Sequence, residues 1–224
     1  MINTHAHLDF DEVKNFDFST EETIVPSIGK ENWSKVALFD FFALGIHPWY
    51  VDQHSDLDLD LLEIQIKKNK PIAVGECGLD FSSNRKSNQF KQIHFFKRQL
   101  YLAKANNLPV IIHSVKANHE VISNLSGTSN YGVIHGFYGS PEEAKKLISM
   151  GFFLGIGHAI LKKNFPKMEN IILTCPMNKI LVETDDDNPE DLTKIASKIA
   201  SIKGLSYDET VLRCDKNAKK LFGI

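Results

Sequence analysis

The sequence predicts an α/β chain closed as a shortened, TIM-type (β/α)8 barrel, with residues 1–224 forming a single domain. Three observations lead there. Eight short apolar runs read as buried strands. Helical patterns with identifiable ends separate most of them. The length leaves about 28 residues per repeat, close to the roughly 30 of a strand–helix–strand unit. An open doubly wound sheet is the alternative, but no glycine fingerprint follows the first run, so a dinucleotide-binding arrangement has little in its favour.

The first run, MINTH at 1–5, is followed by ETIVPSI at 22–28 and FFALGI at 41–46, with a stunted helix expected across 29–40. The fourth run is PIAVGE at 71–76. Residues 87–106 then place Phe90, Ile93, Phe96, Leu100 and Ala103 at helical spacing as one apolar stripe. PVIIH at 109–113 and GVIH at 132–135 are the fifth and sixth runs. Ser140, Pro141 and Glu143 read as N-cap, first helical residue and capping-box partner, with Gly151 placed to stop that helix. FFLGIG at 152–157 and KILVET at 179–184 complete the runs, separated by a poor pattern at 157–175. Ser206 and Glu209 repeat the capping-box spacing before a last helix that Gly223 can end.

The chain is 42% hydrophobic and 24% charged, an ordinary globular composition. Its formal net charge of -2 argues against a broad basic face built for nucleic acid and leaves only local attraction. The basic clusters KKNK at 67–70, NRKSNQFKQIHFFKR at 84–98 and KKNFPK at 162–167 read as solvated helix faces or ends. Cys77, Cys175 and Cys214 are odd in number and lack a C-x-x-C, so neither a disulfide framework nor a cysteine zinc knuckle is expected. A reducing cytoplasm is the expected compartment. The first residues lack a signal-peptide pattern, and no apolar stretch approaches the ~18 residues that span a bilayer. Neither a membrane nor an obligate protein partner is expected.

His5 and His7 stand two apart, and in an extended chain such side chains share a face about 7 Å apart. Alone, that spacing is weak. Position strengthens it: His5 and His7 end the first run, Glu76 the fourth, His113 the fifth and His135 the sixth, and Asp185 follows the eighth. Singly, each has a plain structural reading as a satisfied core or loop residue. Together they put six metal-competent side chains at strand C-terminal ends, where such a barrel keeps its active site. Alternation along the fourth run puts Glu76 with Val74 and Ile72, and Cys77 on the other side, where it is no ligand.

The stretches THAHLD, ALGIHPW, AVGECGLDF, QLYLAKANNLPVIIHS, VIHGFYGSPEEA, ILVETD and NAKKLFG resemble the TatD-related deoxyribonuclease family, one branch of the amidohydrolase-like metal-dependent barrels. The resemblance runs the length of the chain. Glu76 stands where many amidohydrolases bridge their metals with a modified Lys, which favours the nuclease branch. The resemblance implies a hydrolase acting on ester bonds, a metal-dependent exonuclease that cleaves phosphodiesters at DNA ends. It implies two divalent ions, with His5, His7 and Asp185 on one, His113 and His135 on the other, and Glu76 reaching both. Imidazole-rich coordination suits Zn, Mn or Ni, while the family implies activity with Mg. Asp185 and Glu76 are then the catalytic carboxylates, Asp185 accepting a proton from the attacking water. Two carboxylates against two dications leave the site cationic, which suits DNA or another phosphodiester better than a neutral substrate. His47 and Lys116 are candidate substrate contacts, with loop packing as the alternative for His47 and a solvated helix start as the favoured alternative for Lys116. Trp49 and Tyr50 either stack on a base or pack in the core. A second reading is an amidohydrolase or lactonase acting on a neutral substrate, and a third is a metal-binding protein without activity.

The chain departs from the family in places. Asn3 replaces an Asp, Val115 replaces an Arg, and Asp186, Asp187 and Asn188 replace Ala, Pro and Tyr; a following NEP element is missing. The two extra carboxylates are expected to repel a polyanion, and Lys116 lacks the fork of the missing Arg.

Overall fold

The computed structural model describes residues 1–8, 22–82, 88–185 and 190–224. Seven strands follow chain order in the sheet: β1 Val25–Pro26, β2 Phe42–Leu44, β3 Ala73–Asp80, β4 Val110–Val115, β5 Gly132–Ile134, β6 Phe153–Ile156 and β7 Ile180–Val182. The registers of β1 with β2, β2 with β3, β3 with β4 and β6 with β7 are parallel. Parallel neighbours need crossovers, and the helices supply them: α1 Trp33–Val36, α2 Asp56–Asn69, α3 Gln89–Ala105, α4 Asn118–Leu125, α5 Pro141–Ser149, α6 Pro166–Thr174, α7 Glu190–Lys203 and α8 Tyr207–Phe222. No helix among the described residues is long and apolar enough to cross a membrane. The chain groups into two compact units, Val25–Val133 and a terminal unit of Met1–Ile24 with Ile134–Ile224.

In the 25–133 unit, every residue of β3 is buried, as expected of a strand covered on both faces. This strand is longer than its apolar run predicts, so Glu76 lies within it rather than at its end. Its register on β4 shifts between Val74 and Cys77, a bulge that interrupts the expected alternation through Ile72, Val74 and Glu76. Helix α1 has four residues, the stunted helix the sequence predicts. Helix α3 lies where expected and buries Phe96, Leu100 and Ala103 of the expected stripe, but the first turns of that stripe do not face inward. Its buried residues are Gln92, Phe95, Phe96, Gln99, Leu100, Leu102 and Ala103, whereas Phe90 is 87% exposed and Ile93 half-buried.

Two glutamines share the buried face. Gln92 accepts from the Asp80 N–H at 2.8 Å and donates to the Asp80 carbonyl at 3.1 Å. Gln99 treats Ile46 the same way, at 2.8 and 3.0 Å. Each side-chain amide thus satisfies a buried backbone donor and acceptor that would otherwise cost free energy. The contacts hold the chain just past β2 and at the end of β3, next to His47 and around Asp80.

In the terminal unit, MINTH forms one parallel bridge, Asn3 to Thr23, in place of an eighth strand. It is still laced on both sides. Ile24 N–H donates to Asn3 and Ala6 N–H to Ile24, at 2.9 and 3.2 Å, while Thr4 N–H donates to Val182 and Asp185 N–H to His5, at 3.1 and 2.9 Å. The cap signals hold: the Ser140 hydroxyl accepts from Glu143 N–H at 3.1 Å and the Glu143 carboxylate from Ser140 N–H at 2.6 Å. Gly151 follows α5 at φ +97, and Gly223 closes α8 at φ +74. The poor pattern at 157–175 resolves into a 3-10 turn, His158–Leu161, and the short α6.

Candidate metal centre

The laced segment of the terminal unit delivers His5 and His7; His135 follows β5 directly, and Asp185 lies just past β7 at φ +68. His5 Nε2 and His7 Nε2 are 3.4 Å apart, and Asp185 Oδ1 is 3.5 Å from the first and 3.9 Å from the second. Ligands about 2.0–2.1 Å from one tetrahedral ion would be separated by about 3.4 Å, so these three atoms fit a shared cation. His135 stacks on His5 with ring centroids 4.0 Å apart, and its Nδ1 is 3.6 Å from Glu183 Oε1 and 3.9 Å from Asp185 Oδ1. Glu183 is fully buried and accepts from the Gly136 N–H. A Cβ at Gly155 in β6 would collide with the Glu183 carboxylate, so glycine there makes its room. Three imidazoles beside two carboxylates, one wholly buried, favour a cation.

Asn3 supports this cluster through its amide. Its Nδ2 donates to Thr184 Oγ1 at 2.9 Å and its Oδ1 accepts from Thr184 N–H at 3.1 Å. The segment carrying His5 is thereby tied to the one carrying Asp185. An Asp carboxylate could not make the donor bond.

In the 25–133 unit, Glu76 of β3, His113 of β4 and His47, just past β2, converge. His113 Nδ1 is 3.0 Å from Glu76 Oε1, and His47 Nε2 is 3.2 Å from both. His113 stands between two carboxylates, with Nε2 3.1 Å from Asp80 and Nδ1 3.0 Å from Glu76; in the tautomer that donates Nε2–H to Asp80, the Nδ1 lone pair faces Glu76. Trp49 N–H donates to His47 Nδ1 at 3.1 Å, so the His47 proton sits on Nε2. In that tautomer His113 Nδ1 and the Glu76 carboxylate are two electron-pair donors side by side, an arrangement suited to a cation. His47 is a hydrogen-bond donor aimed at them.

Asp80 orients His113 and also accepts from the Trp49 indole N–H at 2.6 Å. Burial acts to raise its carboxyl, but the hydrogen bonds from His113, Ser82 and Trp49 outweigh it and hold the group well below the usual carboxylate range. Cys77 takes no part: its thiol donates to the Ile111 carbonyl at 3.6 Å, and burial together with the neighbouring Glu76 charge pushes it up. Lys116 is exposed at φ +52 beyond β4, beside Val115, which is 37% exposed. Asp186, Asp187 and Asn188 lie outside the described residues, as does the 84–87 part of the second basic cluster.

The sequence reading missed Asp80 and Glu183. Glu183 was within reach of the rule applied to His5 and His7, since it stands two before Asp185. Asp80 has one local partner, Ser82, but the two that tie it to the cluster, His113 and Trp49, come from β4 and from the turn after β2.

The sequence matches the model of the family described as TatD related DNase over residues 2–223. It is 29% identical to an Escherichia coli K12 protein, the uncharacterized metal-dependent hydrolase YjjV, covering 100% of this chain and 98% of that one. The crystal structure of YjjV superposes with a TM-score of 0.91 at 27% identity, covering 100% of this chain and 98% of that chain. The human deoxyribonuclease TATDN3 is 32% identical over 80% of this chain and 73% of its own. A 3'-5' ssDNA/RNA exonuclease, TatD of Pantoea vagans, is 28% identical over 82% of this chain and 78% of its own. This chain belongs to the TatD related DNase family.

Proposed function

We propose that the chain is a metal-dependent hydrolase of nucleic-acid phosphodiester bonds, with His5, His7, Glu76, His113, His135 and Asp185 holding two divalent ions. The observation that carries this is the His5, His7 and Asp185 triad, whose donor atoms stand at the spacing of ligands around one ion. The Glu76 and His113 pair of donors supports it. When bound, divalent ions would acidify a water, polarise a phosphoryl oxygen and neutralise the leaving oxygen.

The chain's own groups do the rest. Asp185, with its side chain 52% exposed, accepts a proton from the attacking water. His47 Nε2–H offers a hydrogen bond to a phosphate oxygen. Asp80 keeps the His113 Nδ1 lone pair available. The name of the human relative supports DNA as substrate, and that of the Pantoea relative supports single-stranded DNA or RNA and exonuclease action. Imidazole-rich ligation favours Zn, Mn or Ni in the isolated protein, with Mg able to support activity. Lys116 is kept as a phosphate contact. The lacing of Asn3–Ala6 to both Ile24 and Val182 supports the finer reading of a single (β/α)8 domain with this segment as its eighth strand. Three free, buried cysteines suit a reducing cytoplasm.

The test is cleavage by protein loaded with Mg²⁺, Mn²⁺ or Zn²⁺ of a generic phosphodiester and of 3′- and 5′-labelled single-stranded DNA, beside a lactone and amide panel. Asp185→Asn should lower kcat on the phosphodiester by on the order of 10² or more. Hydrolysis of a lactone or amide with no phosphodiester cleavage would assign the same machinery to a neutral substrate.

A further inference from the structure

The geometry points to a single-stranded nucleic-acid subsite on the terminal unit, where Tyr138 stacks a base and Lys162, Lys163 and Lys167 hold the phosphates beside it. The inference takes its ligand from the nuclease reading above but can fail separately from it.

The segment KKNFPK runs into a helix end: residues 162–165 are a loop between the 3-10 turn and α6, and Pro166 and Lys167 open α6. This loop lines a cavity of about 610 Å3 with Ile160, Phe165, Glu169 and Lys198. The acidic groups nearby are largely engaged. Lys198 Nζ lies 2.6 Å from Glu169, and His158 and Lys194 hold Asp191 at 2.9 and 2.6 Å. Glu142 is held below its usual range first by a backbone hydrogen bond and then by Ser140, with the charge of Lys167 adding least. Lys162 and Lys163 are exposed and form no ion pair among the described residues. The loop thus carries uncompensated positive charge on a chain whose net charge is -2.

An aromatic platform stands beside this charge. Tyr138 is 55% exposed, and its ring stacks on Phe165 with centroids 5.4 Å apart and planes 19° from parallel. Lys167 Nζ lies 5.7 Å from the Tyr138 centroid. Phe165 fixes the orientation of the tyrosine ring in advance, so a base would order little on arrival. An exposed, pre-oriented aromatic next to lysines is the combination that sequence-tolerant single-strand binding uses. Its reach also fits. Tyr138 is three residues past His135, at most about 11 Å along the backbone, or about three steps of a stacked strand at 3.4 Å each.

The experiment measures binding of a 5′-fluorescein phosphorothioate (dT)12, which resists cleavage, to Mg²⁺-loaded protein by fluorescence anisotropy across a salt series. Tyr138→Ala should raise Kd at least 5-fold, the loss expected of one stacked base, and Tyr138→Trp should restore it, which a folding defect would not allow. Lys162→Ala combined with Lys163→Ala should flatten the slope of log affinity against log salt by about 1.4, at roughly 0.7 per phosphate contact on a single strand. Lys67→Ala, a lysine paired with Glu63 in α2, controls for net charge. Kd and slope equal to wild type in the Tyr138 and double-lysine variants, or an equal change in the Lys67 control, would overturn the subsite. Absence of phosphodiester cleavage by the wild type overturns the catalytic reading instead, and the anisotropy comparison still decides the subsite.

Discussion

His5 and His113 face their clusters through different nitrogens, Nε2 for the first and Nδ1 for the second, and the difference follows from what holds the rest of each ring. Asp80 stands at hydrogen-bond distance from His113 Nε2 and leaves Nδ1 facing Glu76, whereas His5 presents Nε2 toward His7 and Asp185. A sequence cannot state a tautomer, because the partner that sets it comes from another segment. It can state ligand type and spacing, which is why His5, His7 and Asp185 were readable while Asp80 and the donor role of His47 were not. The adjacent pair Glu76 and Cys77 gives a direct test. Glu76→Ala should weaken metal binding by at least about 10-fold, since even groups that only support a ligand typically cost that much. Cys77→Ala should leave metal content unchanged, its thiol being turned to the Ile111 carbonyl. Elemental analysis of both purified variants reads the result, and equal losses would place Cys77 in the cluster.

At the scale of elements, the caps were readable because a capping box is local chemistry, and α5 and α8 begin at the serines that signal them. The inward face of α3 was readable only in part: Phe96, Leu100 and Ala103 are buried, but two other buried positions are glutamines, which an apolar pattern does not mark. Gln99→Ala should destabilise the fold by about 2–4 kcal/mol, since it leaves the buried Ile46 N–H and carbonyl without the side chain that satisfies both. Urea unfolding measures this, and Gln99→Leu should not recover it, because volume is not what is lost. Helix α2 supplies a pH test. The Asp58 carboxylate accepts from Lys30 Nζ at 2.8 Å and from Ser55 N–H at 2.7 Å. The Lys30 hydrogen bond, against the opposing effect of burial and with help from Ser55, lowers its pKa from 3.8 to about 2. A depressed folded-state pKa means the stabilisation is complete above about 4 and lost as pH falls through about 2. Asp58→Asn should therefore cost about 1 kcal/mol at neutral pH, most of it from the helix start because the Lys30 pair is partly exposed and screened. The gap from wild type should close between about pH 4 and 2.

For the whole molecule, the alternation of apolar runs and capped helices was enough to read an α/β chain of parallel strands, since buried parallel strands leave near-continuous apolar runs. It did not separate a strand from a bridged segment: MINTH is apolar enough to suggest a strand, yet Asn3 and Thr4 spend their side chains on Thr184 and Val182. Those same bonds make metal binding a property of the folded chain. The His5 and His7 pair and Asp185 come from opposite ends of the sequence, so an unfolded chain offers no comparable triad, and an ion bound there stabilises the native state by mass action. At a free metal concentration 100 times Kd, one ion should add about 2.7 kcal/mol. For a domain of this size that is a rise in Tm of about 5–11 °C. Scanning calorimetry of chelator-treated protein, with Zn²⁺ or Mn²⁺ restored stepwise, should show Tm climbing with metal and continuing to climb beyond saturation, by about 1.4 kcal/mol per tenfold increase. His5→Ala should remove the increment belonging to the terminal-unit triad while leaving the metal-free Tm little lowered, because its ring lies among ligand-type groups whose mutual crowding a cation relieves. A Tm indifferent to metal across that range would mean that the donor atoms of His5, His7 and Asp185 stand at ligand spacing without holding an ion.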